Sequence, residues 1–260
     1  MRTRVGAVVT GLAILGVCGG LLLGRRGETA AAAATPTGSR TAVIVELFSS
    51  EGCSSCPPAD AYLATLDRTQ PVEGVAVIAL EENVDYWDRL GWRDPFGSPA
   101  FSERQQEYAR VLADHQVFTP EIVFDGHVVM PGGDEDAARR LMQQSAREPK
   151  AHVTVRREGS RVSVDVAGVP AGSGEDVAEV WLAITESGLA TDVKAGENAG
   201  RHLVHGPIVR RLRSLGRVAG GVFHADATID AEAGWNANAL RAVAFVQLVK
   251  SRRIVGAAAL

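Results

Sequence analysis

Cysteine is scarce in this chain: 260 residues hold three, at positions 18, 53 and 56. Only one Cys-x-x-Cys pair exists, and a structural zinc site needs four ligands, so a zinc-ribbon framework is excluded. A basic excess is also lacking, with 27 Lys and Arg against 31 Asp and Glu and a formal net charge of -4. That gives no electrostatic footprint for nucleic acid. The one local basic cluster, Arg210-Arg211-Leu212-Arg213, alternates with apolar residues and reads as the solvated face of an exposed strand edge. Aromatic residues make up only 5% of the chain, so the five rings between Tyr86 and Phe101 stand out. No cofactor motif is present, and neither a cofactor nor a metal is expected. A thiol-based copper carrier is the weakest reading, because no Met or His cluster lies near the cysteines.

Long apolar runs are missing except at the start. Arg2 and Arg4 precede an uncharged run from Val5 to Gly24, followed by Arg25-Arg26 and an Ala-rich stretch from Ala30 to Ala34. This is the pattern of a secretory signal. The run is long for one, and an uncleaved anchor over residues 5–24 is the rival. Either way the body is expected outside the cytoplasm, periplasmic or secreted, with membrane contact only through this segment. Residues 1–39 are then signal or anchor plus spacer. Removal of the segment leaves Cys53 and Cys56 with only each other to pair with.

The pair lies in Glu51-Gly52-Cys53-Ser54-Ser55-Cys56-Pro57-Pro58, between an apolar strand (Val43 to Phe48) and a helical run (Asp60 to Asp67). Such a pair can close and reopen a small disulfide loop, and a helix N-terminus stabilises the attacking thiolate. The roles follow: Cys53 as nucleophile, Cys56 as resolving thiol. Proline lacks an N–H and fits only a first turn, so the regular helix is expected to start near Pro57. Cys53, ahead of the helix, is expected to be the more exposed and more acidic sulphur, with Glu51 opposing its ionisation. A static disulfide inside a non-enzymatic binding module is the alternative.

Beyond this helix the pattern predicts a strand at 75–80, an irregular segment to Pro99, a helix at 100–115 and a strand at 121–124. A strand at 127–130 and a helix at 134–146 complete it. Asp125-Gly126 between two apolar runs is a hairpin signal, and Asp134 is a good N-cap. The order β-α-β-α-β-β-α is the thioredoxin arrangement, where a cis proline at the start of the third strand shapes the docking site; Thr119-Pro120 occupies that place, with a trans proline beginning an edge strand as the alternative. After Pro149 period-two strands dominate, as in Val162, Val164 and Val166, which indicates an antiparallel sandwich. The expected fold is α/β: a thioredoxin-like domain over 40–149 and a β-sandwich-like domain over 150–260.

Four separated motifs resemble those of DUF1223, a family of exported bacterial proteins of unknown function. They are Val45 to Asp60 around the cysteines, Val84 to Phe96, Phe118-Thr119-Pro120, and Gly196-Glu197-Asn198-Ala199-Gly200-Arg201 with His205 and Arg210. The resemblance implies a thioredoxin-like fold and leaves the activity open. Where the family commonly has His before the Val-Asp-Tyr-Trp run this chain has Asn83, so no acid–base or metal role carries over to that position.

Several further residues are candidates. Thr119, Trp87, Trp92 and Asp85 would form a substrate-binding wall beside the cysteines, with Pro120; the competing reading makes the rings the insert's own core. Glu46, the lone charge in the first strand, either relays a proton to Cys56 or pairs with Arg or Lys at a strand edge. His205 is expected to make a structural hydrogen bond, and Asn198 and Arg201 to organise a loop or face the first domain. The expected partner is an exported protein or a small thiol or disulfide.

Overall fold

The computed structural model describes residues 40–112, 115–170 and 175–260. The expected signal or anchor, residues 1–39, lies outside them. Among the described residues no helix is long and apolar enough to cross a membrane.

The fold is a mixed α/β architecture with one large, mostly antiparallel sheet and few helices. Its first seven elements follow the order read from the sequence: β1 (Thr41–Ser49), α1 (Pro57–Thr69), β2 (Val75–Asn83), α2 (Pro99–Leu112), β3 (Glu121–Phe124), β4 (Val128–Pro131) and α3 (Glu135–Ser145). Asp134 caps α3, its Oδ1 accepting the Ala137 N–H at 2.9 Å. The β3–β4 turn needs left-handed backbone at both central residues, and Asp125 (φ 43°) and Gly126 (φ 65°) supply it. A side chain at Gly126 would also strike the Arg252 carbonyl, 2.1 Å from an added Cβ.

The remaining strands are β5 (His152–Glu158), β6 (Arg161–Ala167), β7 (Ala178–Glu186), β8 (Ala190–Asp192), β9 (His202–Val204), β10 (Ile208–Arg217), β11 (Val222–Thr228), β12 (Leu240–Leu248) and β13 (Ile254–Ala259). Strands from both halves of the chain build one eight-stranded sheet, ordered β13-β12-β7-β10-β2-β1-β3-β4. The halves meet where β10 docks parallel to β2, with Ile208 opposite Glu81. A three-stranded sheet, β11-β6-β5, covers the β7–β12 end. Val153, Val155, Val162, Val164 and Val166 pack there against Val180, Leu182, Ile184 and Ala244.

Period-two alternation assigns the faces of the central strands. Val43, Val45 and Leu47 of β1, with Val75, Val77 and Ala79 of β2, face α1 and α3. Ile44, Ile78 and Leu80 face the other way, where Phe101 of α2 joins them to Ala183, Val243 and Phe245. Glu46 follows Ile44 on this second face, in the interior of the sheet. Its carboxylate is held by Arg104 of α2 and accepts from Tyr108 Oη at 2.6 Å, while Arg104 Nη1 reaches Gln247 of β12 at 3.1 Å.

The Arg210–Arg213 cluster lies where β10 pairs with β7 alone, because β2 meets β10 only at Ile208. Its arginines are half-buried, so the stretch is not a freely solvated face. Arg210 stacks over Phe96 and Trp235 (5.3 and 5.0 Å) and Arg211 pairs with Glu232. The strand's own alternation could not reveal which neighbours flank it.

Glu82, next to Glu46 on the α2 face, is fully buried, and neither of its oxygens has a hydrogen-bond partner. Arg104 Nε lies 3.4 Å away. Burial, reinforced by the charge of Glu46 and opposed by Arg104, pushes its pKa from 4.5 up to about 8. Between those values the folded state holds a proton that the unfolded state has lost, so stability falls as pH rises from about 4.5 to about 8. Glu82→Gln, which stays neutral, is expected to remove up to one proton's worth of that slope. Urea unfolding across this pH range in both proteins checks it; unchanged slopes would refute the assignment.

Candidate functional site

The cysteines close a disulfide at the N-terminal end of α1, with Cα atoms 5.5 Å apart. Pro57 opens the helix and Cys56 is its N-cap, as the paired prolines predict. The Cys56 N–H donates to the Cys53 carbonyl at 3.2 Å, closing a tight loop. The expectation of an exposed Cys53 is overturned: both cysteines are 0% exposed, while Ser54 and Ser55 between them are open to solvent. The physical reason is a cover built by distant segments.

One part of that cover is the loop between β8 and β9. Asn198, buried, donates through Nδ2 to the carbonyls of Glu51 (2.8 Å) and Cys53 (2.9 Å). Arg201 Nη1 donates to Asn198 Oδ1 at 2.8 Å, fixing the amide's orientation. Glu197 Oε2 accepts the Ser54 N–H at 3.1 Å. A second part comes from the aromatic insert. A Cβ added at Gly52 would lie 2.9 Å from Trp87 Cβ, so the residue before Cys53 must be small.

Glu51 does not stand as a free charge beside the sulphurs. Trp92 Nε1 donates to its Oε2 at 2.7 Å, and His205 Nε2 lies 3.0 Å from Oε1. Burial raises the Glu51 pKa, but the hydrogen bonds and charge of His205 and the Trp92 bond outweigh it, and the net shift is downward. His205 Nδ1 lies 2.8 Å from Glu81 Oε1, and Glu81 Oε2 accepts the Gly206 N–H at 2.6 Å. Burial lowers the His205 pKa, yet the bonds to Glu51 and Glu81 win and push it up to about 10. The ring is therefore an imidazolium donating to a carboxylate on each side.

Asp60 joins this cluster from α1, one helical turn after Cys56. Ser49 Oγ donates to its Oδ1 at 2.5 Å. Burial, and then the charge of Glu81, raise its pKa well above the ordinary value. Ligand atoms of Asp60, Glu81 and His205 lie within 4.8 Å of one another, the one such potential cation-holding group among the described residues. His205 would have to give up the proton that Glu51 and Glu81 hold before it could ligate.

The other expected residues divide clearly. Trp87 Nε1 donates to Thr119 Oγ1 at 2.9 Å. The Thr119-Pro120 bond is cis, and a Cβ added at Gly132 would meet both Pro120 Cγ (2.8 Å) and Ala59 Cβ (2.9 Å). Pro120 thus packs beside the first turn of α1, and Thr119 joins it to Trp87. Asp85 lies further back, its Oδ1 accepting from Ser102 Oγ at 2.6 Å and anchoring the insert to α2. The aromatic rings do not form a core of their own. Trp87 and Trp92 bond outward to Thr119 and Glu51, and Phe96 sets an edge against His205, ring centroids 5.2 Å apart.

Of its two readings, Glu46 shows the pairing with Arg, in the sheet interior and not at a strand edge. It lies on the sheet face turned away from α1 and is bound by Arg104. The carboxylates on the cysteine side are Asp60 and Glu81. Two signals in the sequence could have found them: Asp60 is four residues after Cys56 in a helix, and Glu81 continues the inward-facing alternation of β2. The motif resemblance marked His205 for a structural hydrogen bond and Asn198 for organising a loop or facing the first domain, and both make such contacts, but nothing local pointed to the cysteine loop as their partner.

Comparisons with known proteins agree with this architecture. The profile of a family described as protein of unknown function (DUF1223) matches residues 44–247. A crystal structure of an Agrobacterium tumefaciens protein superposes with a TM-score of 0.68 at 25% identity, covering 86% of this chain and 96% of that one. HBP35 of Porphyromonas gingivalis superposes with a TM-score of 0.62 at 14% identity, covering 86% and 76%. Among curated proteins no match is found.

The raised pKa of His205 gives a signed expectation. Its contribution to stability is full below the unfolded value of 6.5 and is lost as pH rises through about 10. Removing one member of a buried ionic array costs about 3–5 kcal/mol. His205→Gln should therefore destabilise the fold by about that much near pH 6.5, with the gap to the parent narrowing towards pH 10. Paired denaturant titrations at the two pH values check this; a constant gap would show that His205 is not charged in the folded state.

Proposed function

Because the chain belongs to the DUF1223 family, whose function is unknown, we propose its activity from the site itself: an extracytoplasmic thiol–disulfide exchange protein with a thioredoxin-like core. The observation that carries this reading is the Cys53–Cys56 disulfide at the start of α1 with Pro120 packed beside the same helical turn. The strand order β2-β1-β3-β4, with α1 and α3 on one face and α2 on the other, supports the thioredoxin-like assignment.

In this reading the reduced protein attacks a partner disulfide through the Cys53 thiolate. The partner's S–S bond breaks, a Cys53–partner bond forms, and one partner sulphur leaves as a thiol after taking up a proton. Cys56, having lost its proton, then attacks the Cys53 sulphur and expels the second partner thiol. Two electrons pass to the partner and the disulfide seen here is formed. A dithiol partner drives the same steps in reverse. Thr119 and Trp87 offer the docking surface for an exported protein or small disulfide, while Trp92 and Asp85 act one layer behind it.

The binding-module alternative has one specific observation in its favour, the complete burial of both sulphurs. Trapping separates the two. A Cys56→Ala variant is expected to accumulate covalent adducts in the cell envelope, dissolved by reductant and absent when Cys53 is also replaced. A folded, exported variant that forms no Cys53-dependent adducts under oxidising or reducing growth would favour the binding module.

A further inference from the structure

The loop from Gly196 to Arg201 touches the Cys-x-x-Cys loop through side chains, from about 145 residues away in sequence. Its bonds fall on the part of the site that must move when the disulfide opens. Two bonded sulphurs stand about 2 Å apart, and two thiols need a wider separation. Cys56 cannot supply the movement easily, because it is the N-cap of α1 and its carbonyl already accepts from Ala59 and Asp60 (2.8 and 3.1 Å). The widening therefore falls on Cys53. Its carbonyl is held from two directions, by the Cys56 N–H at 3.2 Å and by Asn198 Nδ2 at 2.9 Å. The same amide holds the Glu51 carbonyl on the other side of Gly52.

We propose that Asn198, oriented by Arg201, is a positioning residue that clamps the Cys53–Cys56 loop in its disulfide form and so sets how readily that bond is reduced. The inference rests on the exchange reading for its biological use, but the clamp itself is measurable on the disulfide alone. Asn198 suits the task chemically. One amide group carries two N–H donors for two carbonyls and keeps its oxygen for the Arg201 guanidinium. The clamp also gives the second half of the chain a role at the cysteines.

The step measured is exchange with glutathione: the Cys53–Cys56 bond and two glutathione thiols become two protein thiols and one glutathione disulfide. Protons and electrons balance. With the whole folded chain, Asn198→Ala is expected to shift this equilibrium towards the dithiol by about tenfold, or about 30 mV for a two-electron couple. It should also speed the first attack by dithiothreitol on the buried sulphurs. Asn198→Asp keeps the shape but sets a carboxylate against two carbonyls, and should shift at least as far. Arg201 is exposed, and Arg201→Ala should move the equilibrium the same way by less, keeping the test open if the Asn198 variants do not fold.

Folded variants whose equilibrium with glutathione matches the parent would overturn the clamp and leave the exchange reading intact. A parent disulfide that glutathione does not reduce moves the measurement to dithiothreitol; a shift there upholds the clamp, no shift overturns it, and the adduct-trapping result alone decides the exchange reading.

Discussion

One charged ring ties the sheet to the disulfide. His205, an imidazolium, donates to Glu81 on one side and to Glu51 on the other. Glu81 lies where β10 joins β2, the strand pairing that carries the eight-stranded sheet from one half of the chain to the other. Glu51 lies at the start of the cysteine loop. A charged ring out of water is tolerable only when it is paired and hydrogen-bonded. Here Glu81 also takes the Gly206 N–H, and Glu51 takes the Trp92 indole. A continuous chain of hydrogen bonds thus runs from the joint between the halves to the start of the cysteine loop.

The neighbouring carboxylates of β2 extend this logic to both faces. Glu81 points to the α1 side and meets His205. Glu82 points to the α2 side and meets Arg104, which also holds Glu46 of β1. Slipping β2 by one residue would exchange the two carboxylates between networks that have no place for them. The buried polar groups of β2 thus help to specify the register of the central strands.

Local structure was largely legible from the sequence. The paired prolines after Cys56 marked the start of α1, Asp134 marked that of α3, and Asp125-Gly126 marked the β3–β4 turn. Each is a short-range effect in which one residue type solves one backbone problem. The long-range placements were not legible in this way. β11 alternates exposed and half-buried residues without a strong apolar signal, and β8 and β9 span three residues each. The reach of Asn198 and His205 to the cysteine loop depends on how β10 docks on β2, which no local pattern encodes. For Glu46 both readings stayed open, because a lone charge in an apolar strand marks a buried polar contact without naming its partner, here Arg104.

The helix supplies less to the cysteines than the motif alone implies. Pro57 and Pro58 have no N–H to offer, and those of Ala59 and Asp60 bond to the Cys56 carbonyl. The N–H of Cys56 goes to Cys53, and that of Ser54 to Glu197. Donors that elsewhere stabilise a thiolate at a helix start are occupied here by the loop's own backbone and its clamp. The positive charge on His205 is matched by the two carboxylates that hold it. The Ser55 hydroxyl, 3.4 Å from Cys53 Sγ, is a donor within reach of that sulphur, and ease of access and freedom of the loop also weigh on the pair. Trp87 of the aromatic insert and the Asn198 loop, both far from the motif in the chain, make the contacts that cover it.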